Sequence, residues 1–102
     1  MTRIVAKFGG TSLADGDLVR KAAKSVKREQ EKEDTQMAVV VSAMGGTTDT
    51  LIEAAKEGTK GEISQQDLDS IMAMGEKISA KVFASTLRSI GVKTQPITTE
   101  DS

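Results

Sequence analysis

The stretch VAKFGGTS (residues 5–12) ends an apolar run with a lysine, a single aromatic residue, two glycines and two hydroxyl-bearing residues. An apolar run that stops at paired glycines is typical of a buried strand leading into a tight turn. The sequence therefore predicts a strand over residues 3–8, with Lys7 near its end. We expect Gly9 and Gly10 to take positive φ angles and to let a ligand come close to the backbone.

The composition excludes several classes of function. A chain of 102 residues suits one compact domain, and its net charge of −1 gives no overall field that would attract nucleic acid or an anionic membrane. The chain has no cysteine and no histidine, which excludes disulfides, thiolate chemistry, Cys/His zinc sites and histidine acid–base catalysis. The first residues do not resemble a signal peptide or a membrane span, so the sequence predicts a cytoplasmic location.

The rest of the chain alternates between helical and strand patterns. Helical spacing of apolar residues predicts one amphipathic helix over residues 13–33. The run MAVVVS (residues 37–42) is rich in β-branched residues and predicts a central strand of a parallel sheet, covered on both faces. A glycine-rich loop follows, and Thr47 or Thr48 is expected to cap a helix over residues 49–57.

The C-terminal part is dominated by one long predicted helix. Ser64 is expected to cap a helix over residues 65–89, whose apolar stripe contains the small residues Gly75 and Ser79. Small residues in such a stripe indicate close approach by another part of the chain. Gly91 is expected to end the helix, and residues 92–97 predict a third strand. This order of elements predicts an α/β domain with a mostly parallel sheet.

Both glycine-rich turns, KFGGTS and SAMGGTTD, follow predicted strands. In parallel α/β sheets, ligands bind beyond the carboxyl ends of the strands. Backbone N–H groups of residues 9–12, at the start of a helix, would favour an anion such as phosphate. The common P-loop spacing is absent, and one such turn by itself favours a plain strand-to-helix connection, whereas two of them at one edge make a ligand site equally compatible. The residues alone leave both interpretations open.

Glu76 is the third candidate, because it falls at the border of the apolar stripe of the long helix. A carboxylate in that position must be paired or must reach a wet cleft. Two alternatives are open: a salt bridge to Lys7 or to a surface lysine, and a role in a binding site. Without further information the salt bridge is favoured.

Three motifs together resemble one known family. VAKFGGTS, VVVSAMGGTTDTL and MGEKISA, which span residues 5–80 in this order, are similar to the N-terminal part of aspartate kinases, members of the amino acid kinase family. The resemblance implies a three-layer α/β/α sandwich with helices on both faces of the sheet, here truncated. Residues 1–102 would then be the N-terminal part of the catalytic domain, without the nucleotide-binding half and the regulatory ACT domains, and inactive alone.

The resemblance also implies an activity and a set of site residues. The activity is ATP-dependent phosphorylation of the β-carboxylate of L-aspartate to 4-phospho-L-aspartate, the first step toward lysine, threonine and methionine. By position, Lys7 would be catalytic and would contact the ATP phosphates together with Phe8, Gly9 and Gly10. Ser42 and Thr48 would line the aspartate site, and Glu76 would bind the substrate ammonium group. Mg²⁺ would be held mainly through the ATP phosphates.

The residue inventory is compatible with this chemistry. The substrate carboxylate is already ionised at neutral pH, so no general base is needed, and phosphoryl transfer chiefly requires positive charge and backbone donors. The alternatives are a non-catalytic phosphate- or amino-acid-binding module, and the N-terminal half of a split kinase or of a bifunctional aspartate kinase–homoserine dehydrogenase. An incomplete sheet also exposes an edge and an apolar face, which predicts self-association or a homo-oligomer.

Overall fold

The computed structural model describes residues 2–32, 35–44 and 46–94 of the chain. In chain order the elements are β1 (Thr2–Phe8), a 3-10 turn (Gly10–Leu13), α1 (Gly16–Gln30), β2 (Thr35–Val41), α2 (Thr47–Gly58) and α3 (Gln65–Ser89). None of these helices is both long enough and apolar enough to cross a lipid bilayer. Two of the three predicted strands and the three predicted helices are thus present in the described residues.

The two strands form a parallel sheet. β1 and β2 pair in register from Thr2 opposite Thr35 to Phe8 opposite Val41. Side chains alternate between half-buried and exposed along both strands, as expected when one face of a sheet is packed and the other is not. The parallel pairing confirms the predicted α/β fold.

The packed face of the sheet lies against α1 and α3. Half-buried strand residues pack against a buried cluster from both helices and the neighbouring loops: Leu13, Val19, Ala22, Ala23, Val26, Phe83, Leu87 and Val92. The rings of Phe8 and Phe83 lie 5.4 Å apart and join β1 to α3. On the opposite face, Val5 is 74% exposed and Val40 is 49% exposed. In the described part of the chain, α1 and α3 therefore form a layer on one face of the sheet, and the second layer of a sandwich would lie on the open face.

The start of α1 differs from the prediction. The chain after Gly9 forms a separate 3-10 turn, closed by the Ser12 N–H that donates to the Gly9 carbonyl at 3.1 Å. α1 begins only at Gly16, because the carboxylate of Asp15 accepts the Leu18 N–H at 2.8 Å and caps the helix. The prediction of one helix from residue 13 was therefore wrong at its start, and the helix ends at Gln30.

The start of α2 also differs. The helix begins at Thr47, and its N-cap is Gly46, with φ of 85° and no side-chain cap. Thr48 is inside the helix and is buried against α3, so it cannot serve as the cap. The predicted threonine cap was wrong because the Thr48 side chain packs against α3 and is not available to cap α2.

The bounds of α3 match the prediction. The hydroxyl of Ser64 accepts the Asp67 N–H at 3.0 Å at the helix start. Gly91 has φ of 92°, and the Val92 N–H donates back to the Leu87 carbonyl at 2.9 Å, which is a Schellman motif. Residues 92–94 are not in a strand, and the remainder of the predicted third strand lies outside the described residues.

Candidate functional site

The two glycine-rich turns lie at the same edge of the sheet. Phe8 and Val41 are opposite each other at the carboxyl ends of β1 and β2. Just beyond them, the Ser42 N–H donates to the Phe8 carbonyl at 3.0 Å and ties the two turns together. The prediction that both turns share one edge is confirmed, and this edge is the candidate site.

The first turn has an unexpected backbone conformation. Gly9 is extended, with φ of −84°, and positive φ angles among the described glycines occur at Gly46, Gly61 and Gly91. The prediction of positive φ at Gly9 and Gly10 was therefore wrong. What distinguishes Gly9 is open space, because a Cβ added there would meet no atom within 4 Å.

The first turn offers fewer anion donors than expected. The Ser12 N–H donates to the Gly9 carbonyl inside the 3-10 turn, so an anion cannot use it. The N–H groups of Gly10 and Thr11 come before this first donor, so the turn itself does not use them. The long helix α1 starts several residues later and carries its own cap on Asp15. The dipole of a long helix therefore does not act at this turn, and any anion would be held by local donors and by Lys7.

Lys7 lies on the open face of the sheet. Its side chain is exposed, whereas the next residue, Phe8, faces inward and packs its ring against Phe83. This alternation follows from the pleat of β1. The Lys7 side chain thus projects near the carboxyl end of β1, on the face of the sheet opposite to α1 and α3.

The second turn is held against α3. Thr48 is 6% exposed, and a Cβ added to Gly75 would lie 2.5 Å from the Thr48 Oγ1 and 3.3 Å from the Ala43 Cβ. Only a residue without a Cβ allows this approach. The close approach predicted at Gly75 is confirmed, and its partners are the side chains of Thr48 and Ala43.

Glu76 follows Gly75 directly and is exposed on α3. The ion pairs within the described residues join Lys27 to Glu31 at 3.8 Å and Lys32 to Glu29 at 3.0 Å. Neither Lys7 nor Glu76 takes part in an ion pair in this part of the chain. The salt-bridge alternative for Glu76 therefore has no support in the described structure.

The arrangement brings some candidates together and leaves others apart. Thr48 contacts Gly75, which precedes Glu76 in α3, and Ser42 is bonded through its N–H to the end of β1. Lys7 approaches from the open face of the sheet, whereas Glu76 is carried by a helix of the packed layer. In the parts of the chain that the structure describes, no three acidic side chains come together as a metal site.

Sequence reasoning did not identify one further feature, the buried hydroxyl of Ser79. Ser79 is 2% exposed, and its Oγ has no hydrogen-bond partner among the described residues. The available signal was the spacing of Gly75 and Ser79, two small residues one helical turn apart in an apolar stripe. That signal predicts close packing but not an unpaired hydroxyl.

The fold and the paired turns define an α/β domain with a candidate ligand site at the carboxyl edge of a parallel sheet. Residues 2–102 match the model of the amino acid kinase family. The chain belongs to the amino acid kinase family.

Within that family, the chain is similar to curated aspartokinases. The chain is 34% identical to the aspartokinase of Mycolicibacterium smegmatis over 98 residues, which cover 96% of this chain and 23% of the relative. It is 37% identical over 95 residues to the aspartokinase of Geobacillus stearothermophilus, covering 93% of this chain and 23% of the relative. The aspartokinase of Rickettsia felis is 38% identical over 97 residues, covering 93% and 24%. The chain thus spans about a quarter of the length of these relatives.

A solved structure agrees with this comparison. The crystal structure of aspartate kinase from Synechocystis superposes with a TM-score of 0.79 at 31% identity, covering 88% of this chain and 15% of the other. The fold expected from the three motifs, that of the amino acid kinases, is thereby confirmed.

Proposed function

We propose that this chain, residues 1–102, supplies the N-terminal part of an aspartate kinase catalytic domain. The reaction transfers the γ-phosphoryl group of ATP to the β-carboxylate of L-aspartate and gives 4-phospho-L-aspartate. The observation that carries the proposal is the shared edge of the sheet, where both glycine-rich turns meet and Thr48 lies against Gly75, the residue before Glu76. The similarity to aspartokinases over almost the whole chain supports the same activity.

The phosphate side of the site would be built on the first turn. Lys7 would place its ammonium group against the transferring phosphoryl group, while the backbone of Phe8, Gly9 and Gly10 lies along the ATP phosphates. The open space at Gly9 supports this role, because a bulky anion needs such access to reach backbone donors. Mg²⁺ bound with ATP would bridge the phosphates and neutralise part of their charge.

The aspartate side would be built on the second turn and on α3. Glu76 is exposed and acidic, so it can pair with the α-ammonium group of the substrate and discriminate an amino acid from a plain dicarboxylate. Ser42 is half-buried beside the end of β1 and can donate its hydroxyl to a carboxylate. Because Thr48 is almost fully buried, it would act mainly by fixing the start of α2 at the site.

No general base is required in this mechanism. The β-carboxylate of aspartate is ionised at neutral pH and is itself the nucleophile. The main barrier is repulsion between this carboxylate and the phosphates, which the positive charge of Lys7 and the local N–H donors would reduce. The proposal places the chain at the first step toward lysine, threonine and methionine, and a cytoplasmic location remains a prediction of the sequence.

A chimera tests the proposal directly. Residues 2–102 would replace the matching segment of the Geobacillus stearothermophilus aspartokinase, and aspartate-dependent activity would be followed by a coupled ATPase assay and by hydroxamate formation. We expect an active chimera, with succinate in place of aspartate as the negative control. The isolated chain would be assayed in parallel, alone and with the remaining segment of the relative added separately.

The outcomes separate the proposal from its alternatives. Activity of the chimera, or of the mixed segments, supports a kinase segment, including one that works in a split or bifunctional protein. A folded chimera that binds ATP or aspartate but transfers no phosphoryl group would instead favour the non-catalytic binding module.

A further inference from the structure

The hydroxyl of Ser79 is not explained by packing alone. The side chain is 2% exposed, and its Oγ has no hydrogen-bond partner among the described residues. A helical serine can satisfy its hydroxyl on the carbonyl one turn earlier, as Thr86 does on Val82 at 2.9 Å, but Ser79 does not. Alanine would occupy nearly the same space, is a better helix former and would leave no unpaired group. The hydroxyl therefore weakens the protein in the described state.

The position of Ser79 connects it with the candidate site. Gly75, Ser79 and Phe83 follow one another at intervals of one helical turn on the inward side of α3. Gly75 lies against Thr48 and Ala43, and Phe83 lies against Phe8. Ser79 is about 6 Å along the helix axis from each of these contacts. The hydroxyl thus lies between the segments that follow β1 and β2.

Thr48 is a polar residue in contact with this stretch of α3, one helical turn from Ser79, because it lies against Gly75. Among the described residues, Thr48 and Ser79 are the buried polar residues, and the other buried residues are apolar. Ala43 also lies against Gly75, and it and the preceding Ser42 offer backbone carbonyls and a hydroxyl. A hydrogen-bond partner for Ser79 is therefore to be sought on Ser42, Ala43 and Thr48.

We propose that Ser79 is a positioning residue for aspartate binding, an inference that rests on the proposed function. With aspartate beside Ser42 and Glu76, the Ser79 hydroxyl donates to an oxygen of Ser42, Ala43 or Thr48 and holds these residues against α3. The missing Cβ of Gly75 permits the close approach that this hydrogen bond needs. The hydroxyl then gains a partner in the bound state that it lacks in the free state, so it favours the conformation that binds aspartate.

The test introduces Ser79→Ala and, separately, Ser85→Ala into the Geobacillus stearothermophilus chimera, because the chain spans only about a quarter of the length of its relatives. The unsubstituted chimera is the original chain of this comparison. Ser85 is an exposed serine on the same helix, and its Oγ interacts with the neighbouring Arg88 side chain at 3.4 Å. Dissociation constants for L-aspartate and, separately, for Mg·ATP would be measured by NMR titration, and thermal unfolding by circular dichroism. For Ser79→Ala we expect an unchanged or higher Tm, aspartate binding weakened about fivefold and unchanged Mg·ATP binding. Ser85→Ala should leave both affinities as in the original chain.

Three results would overturn the proposed role of Ser79. Unchanged aspartate affinity in Ser79→Ala, with normal binding by the original chain, overturns the role of Ser79 and leaves the proposed function standing. A lower Tm would show that the hydroxyl is already paired in the free protein, which also overturns the inference. If the folded, unsubstituted chimera binds no aspartate, the proposed function of this segment fails and the inference fails with it.

Discussion

At the scale of single residues, the charged residues of the proposed site are exposed and its small residues are packed. In the proposed site, the charged residues Lys7 and Glu76 are exposed, whereas Thr48 and Ser79 are buried and Gly75 is half-buried in the contact between the second turn and α3. Exposed charges remain available for ligands, and buried small residues fix the distances between backbone segments. This division explains why substitutions at the two kinds of position should have different effects.

Lys7→Ala should lower kcat of the active chimera by about a hundredfold or more, because it removes the positive charge proposed to stabilise the transferring phosphoryl group. The matched control is Arg3→Ala, since Arg3 is also exposed and projects from the same face of β1. Steady-state kinetics would measure both variants. Equal kcat for Lys7→Ala and Arg3→Ala would remove the catalytic role of Lys7.

Glu76→Gln should raise the KM for aspartate by about tenfold or more, because a neutral amide cannot replace a charge-assisted hydrogen bond to the substrate ammonium group. The KM for ATP should stay unchanged. Asp69→Asn, also on an exposed position of α3, is the control. If the chimera carrying Glu76→Gln keeps its original KM for aspartate, the assignment of Glu76 is wrong.

At the scale of elements, the sequence predicted a helix end correctly where the residues that cap it are close together in the chain. The cap of α3 by Ser64 and its termination at Gly91 involve residues a few positions apart, and both predictions are confirmed. The starts of α1 and α2 were predicted wrongly. The carboxylate of Asp15 caps α1, which therefore begins at Gly16. The side chain of Thr48 contacts α3 and does not cap α2.

Gly91→Ala should lower the free energy of unfolding by about 1 kcal/mol, because alanine is strained at the φ of 92° that Gly91 adopts. Its added Cβ would meet nothing closer than the Lys27 Nζ at 3.9 Å, so a clash is not the cause. Chemical denaturation would measure the change.

Gly58→Ala is the matched control for this prediction. Gly58 is the last residue of α2, and a Cβ added there would meet no atom within 4 Å. Alanine favours a helix over glycine, so this variant should be neutral or slightly more stable than the original chain. Equal destabilisation by both variants would show that the positive φ of Gly91 is not the cause.

At the scale of the whole molecule, one face of the sheet is open. Val5 and Val40 are 74% and 49% exposed there, and within the described residues each of the two paired strands has a free edge. Exposed apolar side chains beside free strand edges favour association with another chain. The predicted self-association remains a prediction.

We expect the apparent mass of the isolated chain to rise with concentration in sedimentation velocity experiments. The double variant Val5→Thr, Val40→Thr should reduce this association, because it keeps β-branched side chains but lowers their hydrophobicity. Leu51→Gln changes a residue that is 49% exposed on α2 and should leave association unchanged. A stable monomer of the original chain at high concentration would contradict the prediction.

The sequence by itself determined the types and approximate positions of the elements and the family. Hydrophobic periodicity, caps and glycine turns act between residues close in the chain, and the three motifs are contiguous. Only the tertiary structure decided that Lys7 projects from the open face, that Thr48 lies against Gly75 and that the Ser79 hydroxyl is buried without a partner. These features depend on how α2 and α3 pack against the strand ends, and such packing joins residues that are far apart in sequence.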